Sequence, residues 1–354
     1  MKGESFTASD YLIHWMGIPV LAEELVILYN YSILSILCLI FLFLFFSQRH
    51  YNLLSDDEKI IYDAYADGIN YYALNHENEL IHNAIFPITG KDIVGHFMYI
   101  IQDIVHLQGL LNTLLSKQEL KAPISTRSDE ILTHKEYLSY ARDTLNMKAS
   151  TAYTANSKLT GKGTYLAINP HQTWDKLSTF FEISVSSDEG WDFTGYTLPG
   201  FPVPMMGYNS HLGWGITVNH PDIIDVFYLD ENPQNETQYL LNNQWIDLEV
   251  RTVQTKYQMF GFISRYYEHE LYFSKFGPVV RTPQGLLAVS FSGFQPQTVH
   301  AASQFLGMNK ATTLVDWESA LQLNAMPLMN FIYADEKDNI LFKYNALLPQ
   351  RDEQ

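Results

Sequence analysis

The chain has 354 residues, 47% of them hydrophobic and 14% aromatic, which is enough to build a sizeable core and too apolar for a disordered protein. Its 22 basic and 39 acidic side chains leave a net charge of −17 with no cluster of Lys and Arg, so nucleic acid is excluded as a dominant partner. The single cysteine, Cys38, excludes an intrachain disulfide framework and a cysteine-based zinc site.

Residues 1–24 form a short N-terminal piece ending MGIPVLAEE. Residues 25–46, LVILYNYSILSILCLIFLFLFF, carry no charge over 22 positions, which meets the length and polarity of a membrane-spanning helix, with Cys38 as a small hydrophobe inside it. The length of the run, its late start and the preceding Glu23 and Glu24 argue against a cleavable signal peptide. One reading is therefore membrane association through 25–46 and a membrane-associated or extracytoplasmic location. The other is an aberrant apolar segment, translated from sequence normally spliced out or read in another frame.

Residues 54–116 read as helical. Ser55-Asp56-Asp57 caps an amphipathic helix over 55–75, and a second helix over 90–116 gathers Ile93, Val94, Phe97, Ile100, Ile101, Ile104 and Val105 on one broad face. His96 and His106 lie on it ten residues apart, a spacing that suits structural histidines better than a metal pair. Residues 117–149 read as an exposed linker with a short helix over 134–148. From 150 onward the texture turns to β: TFFEISVS, DVFYL, SRYYEHELYFS and LLAVSFSG alternate with Gly, Pro, Asn and Asp turns, and one late helix is expected over 314–325.

Three stretches of that region carry unusual chemistry: STAY at 150–153, INPH at 168–171, and LPGFPVPMMGYNSHLGWGITVNHPDIIDVFYL at 198–229. The first two, with Gly161 and Gly163 between them, read by themselves as strand, turn and strand. Together with NFIYADEKDNILFKYNALLPQR at 330–351, their order resembles the penicillin acylase family of N-terminal-nucleophile hydrolases, including its acyl-homoserine-lactone acylase branch. The likeness runs roughly from 54 to 351, and MGIPVLAEE resembles the family's opening Gly-Ile-Pro motif.

The resemblance implies an α+β fold, in which a helical N-terminal part precedes the β-rich start of an incomplete αββα sandwich over 150–354. It implies a cut between Ala149 and Ser150, after which the freed α-amine, titrating near about 7.7–8.0, serves as base for the Ser150 hydroxyl. It assigns His171 to holding the nucleophile or its water, the backbone N–H of Val218 to the oxyanion, and Asp222 and Asp225 to a structural Ca²⁺. It implies no organic cofactor and a small linear amide with an apolar acyl group as substrate.

Ala149, Thr151 and Tyr153 stand where the family commonly has Gly, Asn and Trp. The family's second oxyanion donor, an asparagine, belongs to a later part of its chain, and Asn330 falls in a different, structural motif. The alternative readings are a catalytically inactive, membrane-anchored remnant serving as a binding module or having no function, and a structural β-domain whose motif likeness is accidental.

Overall fold

The structure is a computed structural model that describes residues 46–80, 86–104, 150–171, 179–259, 263–282, 285–293 and 295–351. Its α-helices among the described residues include α1 (Asp56–Asn75), α2 (Gly90–Ile104), the short α3 (Ser157–Thr160), α4 (Ala301–Lys310) and α5 (Leu314–Leu321). The strands in chain order are β1 (Ser150–Ala155), β2 (Tyr165–Pro170), β3 (Phe181–Ser187), β4 (Trp191–Thr197), β5 (Met206–Tyr208), β6 (Leu212–Thr217), β7 (Ile224–Leu229) and β8 (Glu231–Asn232). They continue with β9 (Asn235–Leu241), β10 (Gln244–Asp247), β11 (Glu249–Met259), β12 (Ile263–Ser274), β13 (Gly277–Thr282), β14 (Gly285–Phe291), β15 (Leu328–Asp335) and β16 (Ile340–Ala346). The fold is α+β, helical at the front and antiparallel-β behind it.

Helix α1 begins where the sequence signals it. Ser55 Oγ accepts from the Glu58 N–H while Glu58 Oε2 accepts from the Ser55 N–H, a reciprocal capping box that satisfies two amides the helix itself leaves open. The next turn docks the helix: the Tyr62 hydroxyl donates to the Val299 carbonyl at 2.8 Å and accepts from the Ala302 N–H at 3.0 Å. Helix α2 adds Phe97, whose ring stacks on Phe201 at 4.4 Å, and Phe201 in turn meets Phe305 of α4 edge-on at 5.7 Å. His96 is buried with its Nε2 donating to the Pro199 carbonyl at 3.0 Å, and burial lowers its pKa. That bond ties α2 to the turn at Pro199.

The main sheet has the order β16-β15-β6-β5-β4-β3. Alternation along β6 and β15 sends Trp214, Ile216, Phe331 and Tyr333 to one face, where Trp317 of α5 lies 5.8 Å from Phe331 and 5.1 Å from Tyr333 between ring centres. The opposite face presents Gly213, Gly215 and Thr217, and on it rests the antiparallel ribbon β1-β2. A second sheet, β11-β12-β13-β14-β7, and the small sheet β10-β9-β8 enclose a separate core of Leu229, Tyr239, Leu248, Val279, Leu286 and Ala288.

Several expectations change. Helix α4 was not expected from the sequence, and α5 ends at Leu321, short of 325. The strand-turn-strand unit after Ser150 contains a helical turn, α3, closed by Gly161 and Gly163 at φ 75° and 78°. No helix among the described residues is long and apolar enough to cross a membrane. Residues 25–45 of the apolar run lie outside the described residues, and its last member, Phe46, is packed into the globular core at 8% exposure. The expected span and membrane association thus gain no support. His106, the end of the helix expected over 90–116, and the whole linker over 117–149 also lie outside the described residues.

Candidate active site

The ribbon register determines what meets at Ser150. That residue heads β1 and is half-buried. Its partner in β2 is Pro170, and Thr151 pairs with Asn169, so Asn-Pro-His ends beside the serine. His171 follows directly and is exposed.

The ribbon lies on β6 in a definite register as well. A Cβ on Gly215 would come within 2.7 Å of Ile168, and one on Gly213 within 3.2 Å of Leu166. Strands β2 and β6 therefore run in the same direction, one above the other. Two residues further along each strand are Pro170 in β2, whose partner is Ser150, and Thr217 at the end of β6. Val218 is the next residue, half-buried against the core. Ser150 and His171 thus lie at one end of the ribbon, and Val218 follows the corresponding end of β6.

Below that end, Asn330 pairs with Thr217 across β15 and β6 and donates from Nδ2 to its Oγ1 at 3.1 Å. Past Val218, Asn219 is buried and donates to the Asn345 carbonyl at 2.9 Å, and Asn345 donates to the Met326 carbonyl at 2.7 Å. This chain ties the segment after β6 to the end of β16.

Asp222 and Asp225 do come together, but around a guanidinium. Arg351 donates to Asp225 Oδ1 from Nε at 3.0 Å and from Nη2 at 2.7 Å, and from Nη2 to the Asp222 carbonyl at 3.2 Å. Among the described residues, no group of three or more His, Cys, Asp or Glu side chains could hold a metal ion.

The far end of the ribbon is anchored by a residue that sequence reading missed. Asp338, in the β15–β16 turn, accepts from the Ser157 N–H at 2.7 Å and hydroxyl at 2.6 Å, and from the Thr164 hydroxyl at 3.1 Å. The only sequence signal was a generic Asp-Glu-Lys-Asp-Asn turn. Arg351 was missed as well, since a single arginine near the end of the chain carries no spacing signal.

A helical front precedes an antiparallel sheet that carries helices on one face and the ribbon headed by Ser150 on the other, the α+β arrangement of an amidase-class fold. The family model for penicillin amidase matches residues 45–354, and the chain belongs to that family. Curated relatives include acyl-homoserine lactone acylase PvdQ of Pseudomonas putida, 26% identical over 58% of this chain and 27% of its own length. The PvdQ acylase of Pseudomonas fluorescens strain Pf-5 is 28% identical over 56% of this chain and 26% of its own length. Among solved structures, a thermostable penicillin G acylase from Alcaligenes faecalis aligns with 28% identity over 49% of this chain and 31% of its own, at a TM-score of 0.43. The matched part of the chain spans about a quarter of the length of these curated relatives.

Proposed function

We propose that this chain carries the nucleophile half of an amide hydrolase, in which Ser150 attacks a small linear amide with an apolar acyl group. Cleavage after Ala149 would free the Ser150 α-amine. That amine accepts the hydroxyl proton as Oγ bonds to the amide carbon, and the proton passes to the departing amine as the C–N bond breaks. Water then adds to the ester, releasing the acid and restoring the hydroxyl. The Val218 N–H is aimed at the developing oxyanion, and His171 holds the serine or the incoming water.

The observation that carries this reading is the paired register: Ser150 opposite Pro170, and Ile168 seated on Gly215, which together bring the serine to the Val218 end of β6. Membership of an amidase family and likeness to acylases supply the reaction class. A cut after Ala149 is also compatible with the packing, because Tyr62 with Val299, Phe97 with Phe201 and Glu58 with His300 hold the helical front to the β region without the backbone.

Intact-mass analysis and N-terminal sequencing of the native protein test the proposal. Two chains, the second starting at Ser150, together with hydrolysis of a long-chain N-acyl amide that Ser150→Ala abolishes, are expected. Hydrolysis that survives Ser150→Ala overturns it.

A further inference from the structure

Asp222 and Asp225 match the calcium ligands of the family to which the chain belongs, and the donor set can be tested against that ion. Calcium takes about 6–8 oxygen ligands at roughly 2.3–2.6 Å. Here one nitrogen, Arg351 Nη2, sits where the oxygens converge: 2.7 Å from Asp225 Oδ1, 3.2 Å from the Asp222 carbonyl, and 3.1 Å from Asp222 Oδ1, the last as an ion pair without hydrogen-bond geometry. The guanidinium occupies the point a metal would need. The described residues do not fit calcium.

We infer that Arg351 is the internal cation of this site, replacing a calcium ion, and that it clamps the segment following Val218 onto the end of the β16 arm. The charge balance supports it. The Asp225 side chain is only 10% exposed, and a carboxylate that deep requires a positive partner. Two charge-assisted hydrogen bonds from one guanidinium supply it without the desolvation of a separate ion. The clamp also has a second strap, the bond from Asn219 to the Asn345 carbonyl, so the segment from Val218 to Ile223 is tied near its start to β16 and just past its end to Arg351, which follows β16.

The test needs no hydrolysis, so it stands apart from the proposal about Ser150. The full chain, stripped with EDTA, is titrated with CaCl2 by calorimetry and melted with and without the ion. No saturable calcium site and the same Tm in either buffer are expected, while Arg351→Gln lowers Tm by about 5 °C and Arg351→Lys recovers part of the loss. A one-to-one calcium site in the unmodified chain that disappears in Asp225→Asn overturns the inference. So does an Arg351→Gln chain that melts where the unmodified one does.

Discussion

Asp338 holds Ser157 by two hydrogen bonds, to its N–H at 2.7 Å and to its hydroxyl at 2.6 Å, and so fixes the end of the β1–β2 ribbon opposite Ser150. Those bonds, first the one from the hydroxyl and then the one from the amide, hold the Asp338 carboxyl below its ordinary pKa of 3.8. A depressed carboxylate stabilises the fold above its unfolded pKa and loses that contribution as pH falls through the folded value. Asp338→Ala is therefore expected to speed amide hydrogen exchange across 150–170 at neutral pH. The same increase should appear in the unmodified chain as pH drops below about 4. Unchanged exchange in the variant would show that the ribbon is held by its seat on β6 alone.

Gly215→Ala puts a methyl group 2.7 Å from Ile168 Cγ1 and 2.9 Å from its Cγ2, branch atoms that cannot swing aside together. Overpacking of this kind costs about 1–3 kcal/mol. Chemical denaturation should show that loss, and Ile168→Ala in the same chain should return part of it, because that change removes Cγ1, Cγ2 and Cδ1, the three atoms the new methyl group meets.

Tyr62→Phe removes a buried hydroxyl that serves both the Val299 carbonyl and the Ala302 N–H. Two backbone groups are left without their partner in a dry interior, and a loss of about 1–3 kcal/mol is expected in urea denaturation. A neutral result would mean that water enters beside α1.

Glu58 binds in two directions. Burial alone would raise its pKa, but the hydrogen bonds from His300, from the Ser55 amide and from Ser303 outweigh it and bring the carboxyl down to about 2. With the folded value below the ordinary 4.5, the stabilisation is complete above about 4.5 and is lost between there and about 2. Glu58→Gln should lower Tm at pH 7 and flatten the acid side of the stability curve. A curve parallel to that of the unmodified chain would refute the assignment.

What was legible in the sequence follows from where the cause of each element lies. The start of α1 was legible because Ser55 and Glu58 are three residues apart and make their own cap. Helix α4 was not, because glycine and asparagine carry low helix propensity and α4 contains Gly307 and Asn309; in the fold, Gly307 lets α5 approach so closely that a Cβ there would lie 3.0 Å from Ala320. The glycine is an interface residue, and only the partner reveals it. Trp-Gly-Ile-Thr at 214–217 was legible as a family motif without its reason, which is the room Gly215 leaves for Ile168. Asp222 and Asp225 were legible as a pair, but not their cation, because Arg351 is 126 positions beyond Asp225 and nothing local connects them. The uncharged run was read by its composition alone, while Phe46 at its end shows that an apolar residue there can belong to a protein core.

The bond between Glu58 and His300 joins positions 242 apart, and Tyr62 reaches Val299 across 237. On a ribosome adding about 5–20 residues per second, α1 is made roughly 12–50 s before the surface that receives Glu58 and Tyr62. Throughout that interval its inner face, with Tyr62 and Ala66, has only α2 to pack against and lacks the β region that completes its core. Slower translation lengthens the time for which the α1 groups that bind Val299 and His300 wait without their partners.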